Sequence, residues 1–290
     1  MINPKFSLGW IPDLPDHRDF SQLSPELKKE MNQVGLDEIT QNIPSRVDLR
    51  KWCSPIENQT PLNSCTAHAG TNLLEYFMIK TSGIYVEGSR LFLYKATRNL
   101  IGFTEDMGAY LRTTMGAMKL FGICPEPYWS YNPDNVNVEP PAFCYSFAGN
   151  YKALKYFRLD PTGATTSDIL TNVKNFLAAG LPSMFGFTVF SSINQASNDG
   201  KVPYPSVGER VEGGHAILAV GYDDNMKIVN EKTGEETEGA IIFENSWGTG
   251  WGDKGYGYFP YKYILSGDAL DFWSLVESET VSNLGDFFGI

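Results

Sequence analysis

The chain has 290 residues, 42% of them hydrophobic and 13% aromatic, which is enough to build a large core in one domain or in two lobes. Its formal net charge of −11 argues against nucleic acid as a partner, because phosphate recognition needs a positive patch that releases counterions. No apolar run approaches the roughly 18 residues of a membrane span, so the sequence reads as a soluble globular protein.

In chain order, Gly9 to Phe20 is interrupted by Pro12 and Pro15 and is expected to be extended. Ser24 to Met31 is expected to be a short helix with Ser24 as N-cap and Pro25 in its first position. The beginning of the chain lacks the apolar core of a secretory signal. That fits a cytoplasmic protein, a trimmed signal or export by a route that leaves no such mark.

The next helix is the informative one. From Cys65 on, Ala69, Leu73, Leu74, Phe77 and Met78 form an apolar stripe that ends at Ser82-Gly83. Asn63 or Ser64 is expected to cap its first turn. Cys65 thus stands at the positive end of a helix dipole, where unpaired backbone N–H groups favour a thiolate. Ser89–Arg98 and Asp106–Gly122 are expected to be two further helices, the last ending at its glycine.

An irregular crossing loop follows from Glu126, and then a capped helix over Thr166–Gly180. The remainder reads as strands, at Ser183–Val189, Gly213–Tyr222, Ala240–Asn245, Gly255–Phe259 and Asp271–Val276. Helices thus gather in the first half and strands in the second, which predicts an α+β fold. The acidic run Glu231–Glu238 is expected to be a solvated loop.

Only three histidines are available as a general base for Cys65: His17, His68 and His215. His68 shares the Cys65 helix but is expected to face the core, and His17 is expected at the surface. His215 begins a strand flanked by glycines, which permits close approach of another backbone. If that strand pairs antiparallel with Ala240–Asn245, its start lies beside the end of the second, and His215 faces Asn245. Cys65, His215 and Asn245 then form a set of nucleophile, base and orienting group.

Gln59, Cys65, His215 and Asn245-Ser-Trp-Gly248, in this order and at about these separations, resemble the papain-like cysteine peptidases. The resemblance extends from Ile43–Arg50, similar to the family's mature start, to about Trp273. It implies a two-lobe fold with the cleft between a helical lobe and a β-rich lobe. It also implies a cysteine endopeptidase that works through a thioester acyl-enzyme and needs no metal or cofactor, with Gln59 beside the oxyanion. Asn63, Ser64, Gly108 and Gly214 would line the substrate subsites, and Trp247 would cover the His215–Asn245 bond.

The sequence departs from the family in several places. Leu62-Asn-Ser-Cys65-Thr66 stands where a Cys-Gly-Ser-Cys-Trp run is common, which removes a disulfide cysteine and a tryptophan but no catalytic atom. His68 replaces a usual aromatic, and Gly214 a frequent acidic residue. Cys53, Cys124 and Cys144 allow at most one structural bridge, and Cys124–Cys144 is the candidate pair.

Residues 1–42 precede a peptidase domain over 43–290. They lack the family's long charged pro-helix, and the run Trp10 to Asp19 resembles bacterial members with short extensions. This segment is expected to act as a latency device over the cleft, as in a zymogen, or else as a strap on the back of the fold. A monomer acting on peptide or protein substrates is expected. The competing readings are an acyltransferase or amidase on the same scaffold, or a binding module that kept the cleft.

Overall fold

The computed structural model describes residues 8–27, 32 and 43–280. Among them, the helical half comprises α1 (Cys65–Ser82), α2 (Arg90–Ile101), α3 (Leu111–Leu120) and the short α4 (Ala142–Ala148). After β1 (Arg46–Asp48), the strands are β2 (Tyr151–Arg158), β3 (Ser183–Phe190), β4 (Val211–Val229), β5 (Glu236–Glu244), β6 (Tyr256–Pro260) and β7 (Ala269–Thr280). Two more helices, α5 (Thr166–Ala178) and α6 (Tyr261–Ser266), are interleaved with them. The strands form one antiparallel sheet in the order β2-β7-β3-β4-β5-β6, with β1 on β4. No helix among the described residues is long and apolar enough to cross a membrane.

The central helix α1 is buried on every side over its first fourteen residues, from Cys65 to Met78. It stops where Gly83 takes a left-handed φ of 69°, a conformation that costs a glycine little. Thr165 and Asp168 close a reciprocal capping box at the start of α5, which satisfies two backbone donors there. Beneath the sheet, Phe185, Phe187, Phe259, Phe272 and Tyr263 interlock, with Phe185 stacked on Phe272 at 4.7 Å. Such aromatic pairs combine a large buried area with favoured ring geometry.

Three local expectations are corrected. The helix expected over Asp106–Gly122 begins only at Leu111. Gly108 has φ +87°, outside the helical range, and the Asp106 carboxylate is held by the amide of Asn63 (3.1 Å) and the hydroxyl of Tyr94 (2.6 Å). Residues 106–110 therefore form a loop in which Ala109 makes a single bridge.

Ser64 occupies the N-cap of α1 but its side chain makes no capping bond. Its hydroxyl is paired with Tyr131 Oη at 2.8 Å, while Asn63 donates through Nδ2 to the Asp106 carbonyl. The turn at Pro25–Leu27 is 3-10, and Ser24 Oγ accepts from the amide of Ser21; the rest of the helix expected there lies outside the described residues. All four cysteines are free thiols.

Candidate active site

Cys65 is the first residue of α1, as its helix-start pattern implies. The backbone N–H groups of Ala216, Gly9, Thr66 and Cys65 itself favour the charged sulfur. Ala216 lies on β4, one residue beyond His215. The antiparallel register of β4 and β5 sets Leu218 opposite Glu244, which carries His215 alongside Asn245 just past the end of β5. His215 Nε2 and Asn245 Oδ1 are 2.8 Å apart. Asn245 Oδ1 also accepts the Ser246 amide at 2.8 Å, which fixes the plane of the side chain. The other ring nitrogen, His215 Nδ1, is buried and has no hydrogen-bond partner among the described residues.

Trp247 stacks on the imidazole with centroids 4.5 Å apart and planes 19° from parallel, and Trp251 meets Trp247 edge-on at 5.2 Å. These indoles keep water from the His215–Asn245 bond, and the drier surroundings strengthen it.

Gln59 joins the two lobes. Its amide donates to the Ser246 carbonyl at 2.8 Å, its Oε1 accepts from Ser246 Oγ at 2.5 Å, and its Nε2 donates to the Leu62 carbonyl at 3.0 Å. Its own carbonyl accepts from Tyr131 Oη at 2.7 Å. Between Gln59 and the helix, the chain turns through a cis Thr60–Pro61 bond.

The sequence model of the papain family of cysteine proteases matches residues 43–263. The chain belongs to this family. An uncharacterized peptidase C1-like protein of Acanthamoeba polyphaga mimivirus is 33% identical over 93% of this chain and 87% of its own length. The crystal structure of xylellain, a cysteine protease from Xylella fastidiosa, superposes with a TM-score of 0.75 at 31% identity, covering 96% of this chain and 97% of that one. Procathepsin B of Trypanosoma congolense, at 14% identity and a TM-score of 0.66, shares the fold over 96% of this chain and 88% of its own. This papain-family protein is accordingly a cysteine protease, a hydrolase of peptide substrates.

The N-terminal segment of the protease runs between Ala109 and Gly214. Trp10 forms a parallel bridge with Ala109: Ala109 donates to the Gly9 carbonyl at 2.8 Å and Ile11 donates to the Ala109 carbonyl at 3.0 Å. From the other wall, the Gly214 carbonyl accepts the Trp10 amide at 3.1 Å. The approach is close enough to require glycine on both sides. A Cβ on Gly9 would lie 1.9 Å from the Asn63 carbonyl oxygen, and one on Gly108 would lie 2.1 Å from the Gly9 oxygen.

Further along, Arg112 binds Asp19 through Nε (2.9 Å) and Nη2 (2.7 Å), and pairs with Asp13. The Arg158 amide donates to the Phe20 carbonyl at 2.7 Å. These bonds rivet residues 8–20 across the face of the protease. His17, on the outer side of the strap, is exposed beside Asp16.

Both members of the pair are buried, and burial disfavours the charged form of each. Cys65 and His215 are both 0% exposed. Loss of water pushes the Cys65 thiol up to about 12, against which the surrounding backbone N–H groups pull only in part. The same loss lowers His215 to about 4, with Asn245 opposing. Burial thus favours the neutral form of each group, against the thiolate that the helix end alone favours.

His68 is also neutral. Burial takes it down to about 3, and its Nδ1 lies 3.1 Å from the Ser64 carbonyl, with Tyr131 edge-on at 5.3 Å. It supports the loop before Cys65.

Of the residues expected to line the subsites, Asn63, Gly108 and Gly214 touch the strap. Ser64 instead turns toward Tyr131 and His68. The sequence reading missed Ala109, Gly186 and Asp271, which hold Trp10. Ala109 was hidden inside an expected helix. Gly186, in the middle of a strand, carried the usual sign of close approach.

Proposed function

We propose that this protease cleaves peptide bonds through a thioester formed on Cys65, and that residues 8–20, within an extension of residues 1–42, keep it latent until they leave the cleft. The catalytic reading rests on the meeting of three elements. The amide of the residue after His215 favours the charged form of the Cys65 sulfur, and His215 offers an unpartnered Nδ1 while Asn245 holds its Nε2.

When water returns to the uncovered site, the helix end and the imidazolium each favour the charged sulfur, and Nδ1 takes the thiol proton. The thiolate attacks the scissile carbonyl carbon. The Cys65 amide and the Gln59 Nε2 donate to the resulting oxyanion, each donor contributing on the order of 3 kcal/mol in such sites. His215 gives its proton to the departing amine, which leaves Cys65 acylated. A water molecule then surrenders a proton to His215 and attacks the thioester, releasing the carboxylic acid and restoring the thiolate–imidazolium pair. Asn245, by accepting from Nε2, keeps the ring in the tautomer and orientation that both halves require.

Latency is supported by how the strap is held. The Gly9 amide is among the groups that favour the charged sulfur, and the Gly9 carbonyl is engaged by the Ala109 amide. The strap thus has its backbone tied to the wall of the site on either side of Trp10. The test is the hydrolysis of a fluorogenic dipeptide amide by the full chain, by a chain starting at Ile43 and by Cys65→Ala versions of both. The reading expects turnover that rises at least tenfold on trimming and disappears with Cys65. Equal rates before and after trimming would remove the latency claim, and turnover by the Cys65→Ala chains would remove the mechanism.

A further inference from the structure

The loop from Gln59 to Ser64 joins the two groups proposed to hold the oxyanion, the Gln59 side-chain amide and the Cys65 backbone N–H. It contains no helix or strand, so its span is set by contacts from outside. At its first end, Gln59 is tied to Ser246 through its backbone amide and its Oε1. At its last end, Ser64 is the residue on which α1 begins. The Tyr131 hydroxyl, from the irregular loop after Glu126, bonds both ends: it donates to the Gln59 carbonyl at 2.7 Å and lies 2.8 Å from Ser64 Oγ.

A phenol has one proton to give. Since that proton goes to Gln59, Ser64 is the donor in its pair with Tyr131, and its hydroxyl is turned away from the end of α1. His68 extends the chain, with Nδ1 3.1 Å from the Ser64 carbonyl and its ring edge-on to Tyr131 at 5.3 Å. The backbone amide of Tyr131 donates to Glu126 Oε1 at 2.5 Å, which pins the root of the side chain. Burial pushes the Tyr131 hydroxyl above its ordinary range, so it keeps its proton and remains a donor.

We infer that Tyr131 is a positioning residue for the oxyanion site, its hydroxyl holding the Gln59 main chain at the distance from Cys65 at which both N–H donors reach one oxygen. The inference rests on the proposed reading of Gln59 Nε2 and the Cys65 amide as those donors.

The geometry favours this role over a plain strut. Gln59 Nε2 donates to the Leu62 carbonyl at 3.0 Å, and Ser246 Oγ fixes the opposite end of the same amide plane. The plane is thereby set relative to the loop and to Ser246, while the separation of the loop's two ends is left to the bridge through Tyr131. Donors stabilise an oxyanion only within hydrogen-bond reach of the place where its charge develops. A misplacement of about 1 Å costs on the order of a hundredfold in rate. A phenylalanine at residue 131 would keep the ring against His68 and remove the bridge.

The experiment uses the full chain in the Gly9→Val background, in which the strap is expected to be displaced, with a fluorogenic dipeptide amide as substrate. Tyr131→Phe, Gln59→Ala and their combination are compared. Tyr131→Phe alone is expected to lower kcat at least tenfold with less than a threefold change in KM. Once Gln59 is alanine it is expected to lower kcat less than twofold, because the donor it would misplace is gone. Ser64→Ala, which keeps the phenol and removes one of its partners, is expected to give a smaller loss with the same dependence on Gln59. In the strapped full chain, isotope-labelled at its glutamine amides, the Gln59 side-chain resonance is recognised by its absence in Gln59→Ala. Its exchange with solvent is expected to quicken at least fivefold in Tyr131→Phe. Losses of equal size with and without the Gln59 side chain, or an unchanged exchange rate, would overturn the inference. Faster exchange with no turnover by the Gly9→Val parent would uphold the positioning of Gln59 and count against the proposed latency and catalysis instead.

Discussion

Gly9 lies against the carbonyl of Asn63, an approach open to it because it has no side chain. A Cβ there would stand 1.9 Å from the Asn63 oxygen, and that oxygen belongs to backbone that cannot swing aside. The seat of the strap therefore depends on a hydrogen atom in place of a methyl group. In the full chain, Gly9→Val is expected to displace the strap and raise hydrolysis of a small peptide amide at least tenfold, with little effect on melting temperature because the protease core is untouched. A rate unchanged from that of the parent chain would mean that the strap tolerates the extra atoms or does not block the cleft.

The bond between His215 and Asn245 yields a second expectation. Asn245→Ala removes the acceptor 2.8 Å from Nε2 and leaves the Trp247 stack in place. In the uncovered protease this is expected to lower kcat about 10-fold to 100-fold with a smaller change in KM, because the orienting bond acts on proton transfer during the reaction. A change confined to KM would assign Asn245 to substrate binding. Melting curves of parent and variant distinguish a loss of orientation from a loss of fold.

A third expectation concerns stability. Asn72 lies between two buried charged groups: its Nδ2 donates to Glu244 Oε1 at 2.9 Å, and its Oδ1 accepts from Arg90 Nη2 at 3.0 Å. Arg90 pairs with Glu75 at 2.9 Å, so the guanidinium is spent on one carboxylate and Glu244 is left to burial. Burial pushes the Glu244 carboxyl up to about 8, with the neighbouring Cys53 thiol and Arg90 opposing and Glu75 adding to the rise.

A carboxyl with a raised folded value contributes stability that is fully present below its unfolded value near 4.5 and is lost as pH rises through about 8. The slope for one such group is at most about 1.4 kcal/mol per pH unit. The melting temperature is expected to fall between pH 5 and pH 9, and Glu244→Gln, neutral at every pH and still able to accept from Asn72, is expected to flatten part of that fall. Identical pH profiles for parent and variant would show that Glu244 ionises as freely in the folded chain as in the unfolded one.

The residues that local rules can locate were legible in the sequence. Cys65 follows from a helix start, and the meeting of His215 with Asn245 follows from pairing two strands antiparallel, because each depends on short-range periodicity plus one pairing. The loop at residues 106–110 was read as the first turns of the helix that follows it. The left-handed Gly108 and the bonds to Asp106 come from distant parts of the chain and override that pattern.

Ser64 was read as a cap on the same local logic, and Tyr131, sixty-seven residues away, takes its hydroxyl instead. The neutral state of Cys65 was out of reach for a related reason. The helix end was visible, but the burial that pushes the thiol up, like the seat of the strap on Gly108, Gly214, Gly186 and Asp271, joins residues far apart in sequence.

The most direct test of the account follows from that neutrality. The full chain is treated at pH 7 with a thiol-directed epoxide before and after removal of the N-terminal segment, and the modified residue is located by mass mapping. Negligible modification before trimming is expected, followed by rapid and exclusive modification of Cys65, since removing the strap readmits water and restores the thiolate. Rapid labelling of Cys65 in the untrimmed chain, or labelling only of Cys53, Cys124 or Cys144 after trimming, would contradict it.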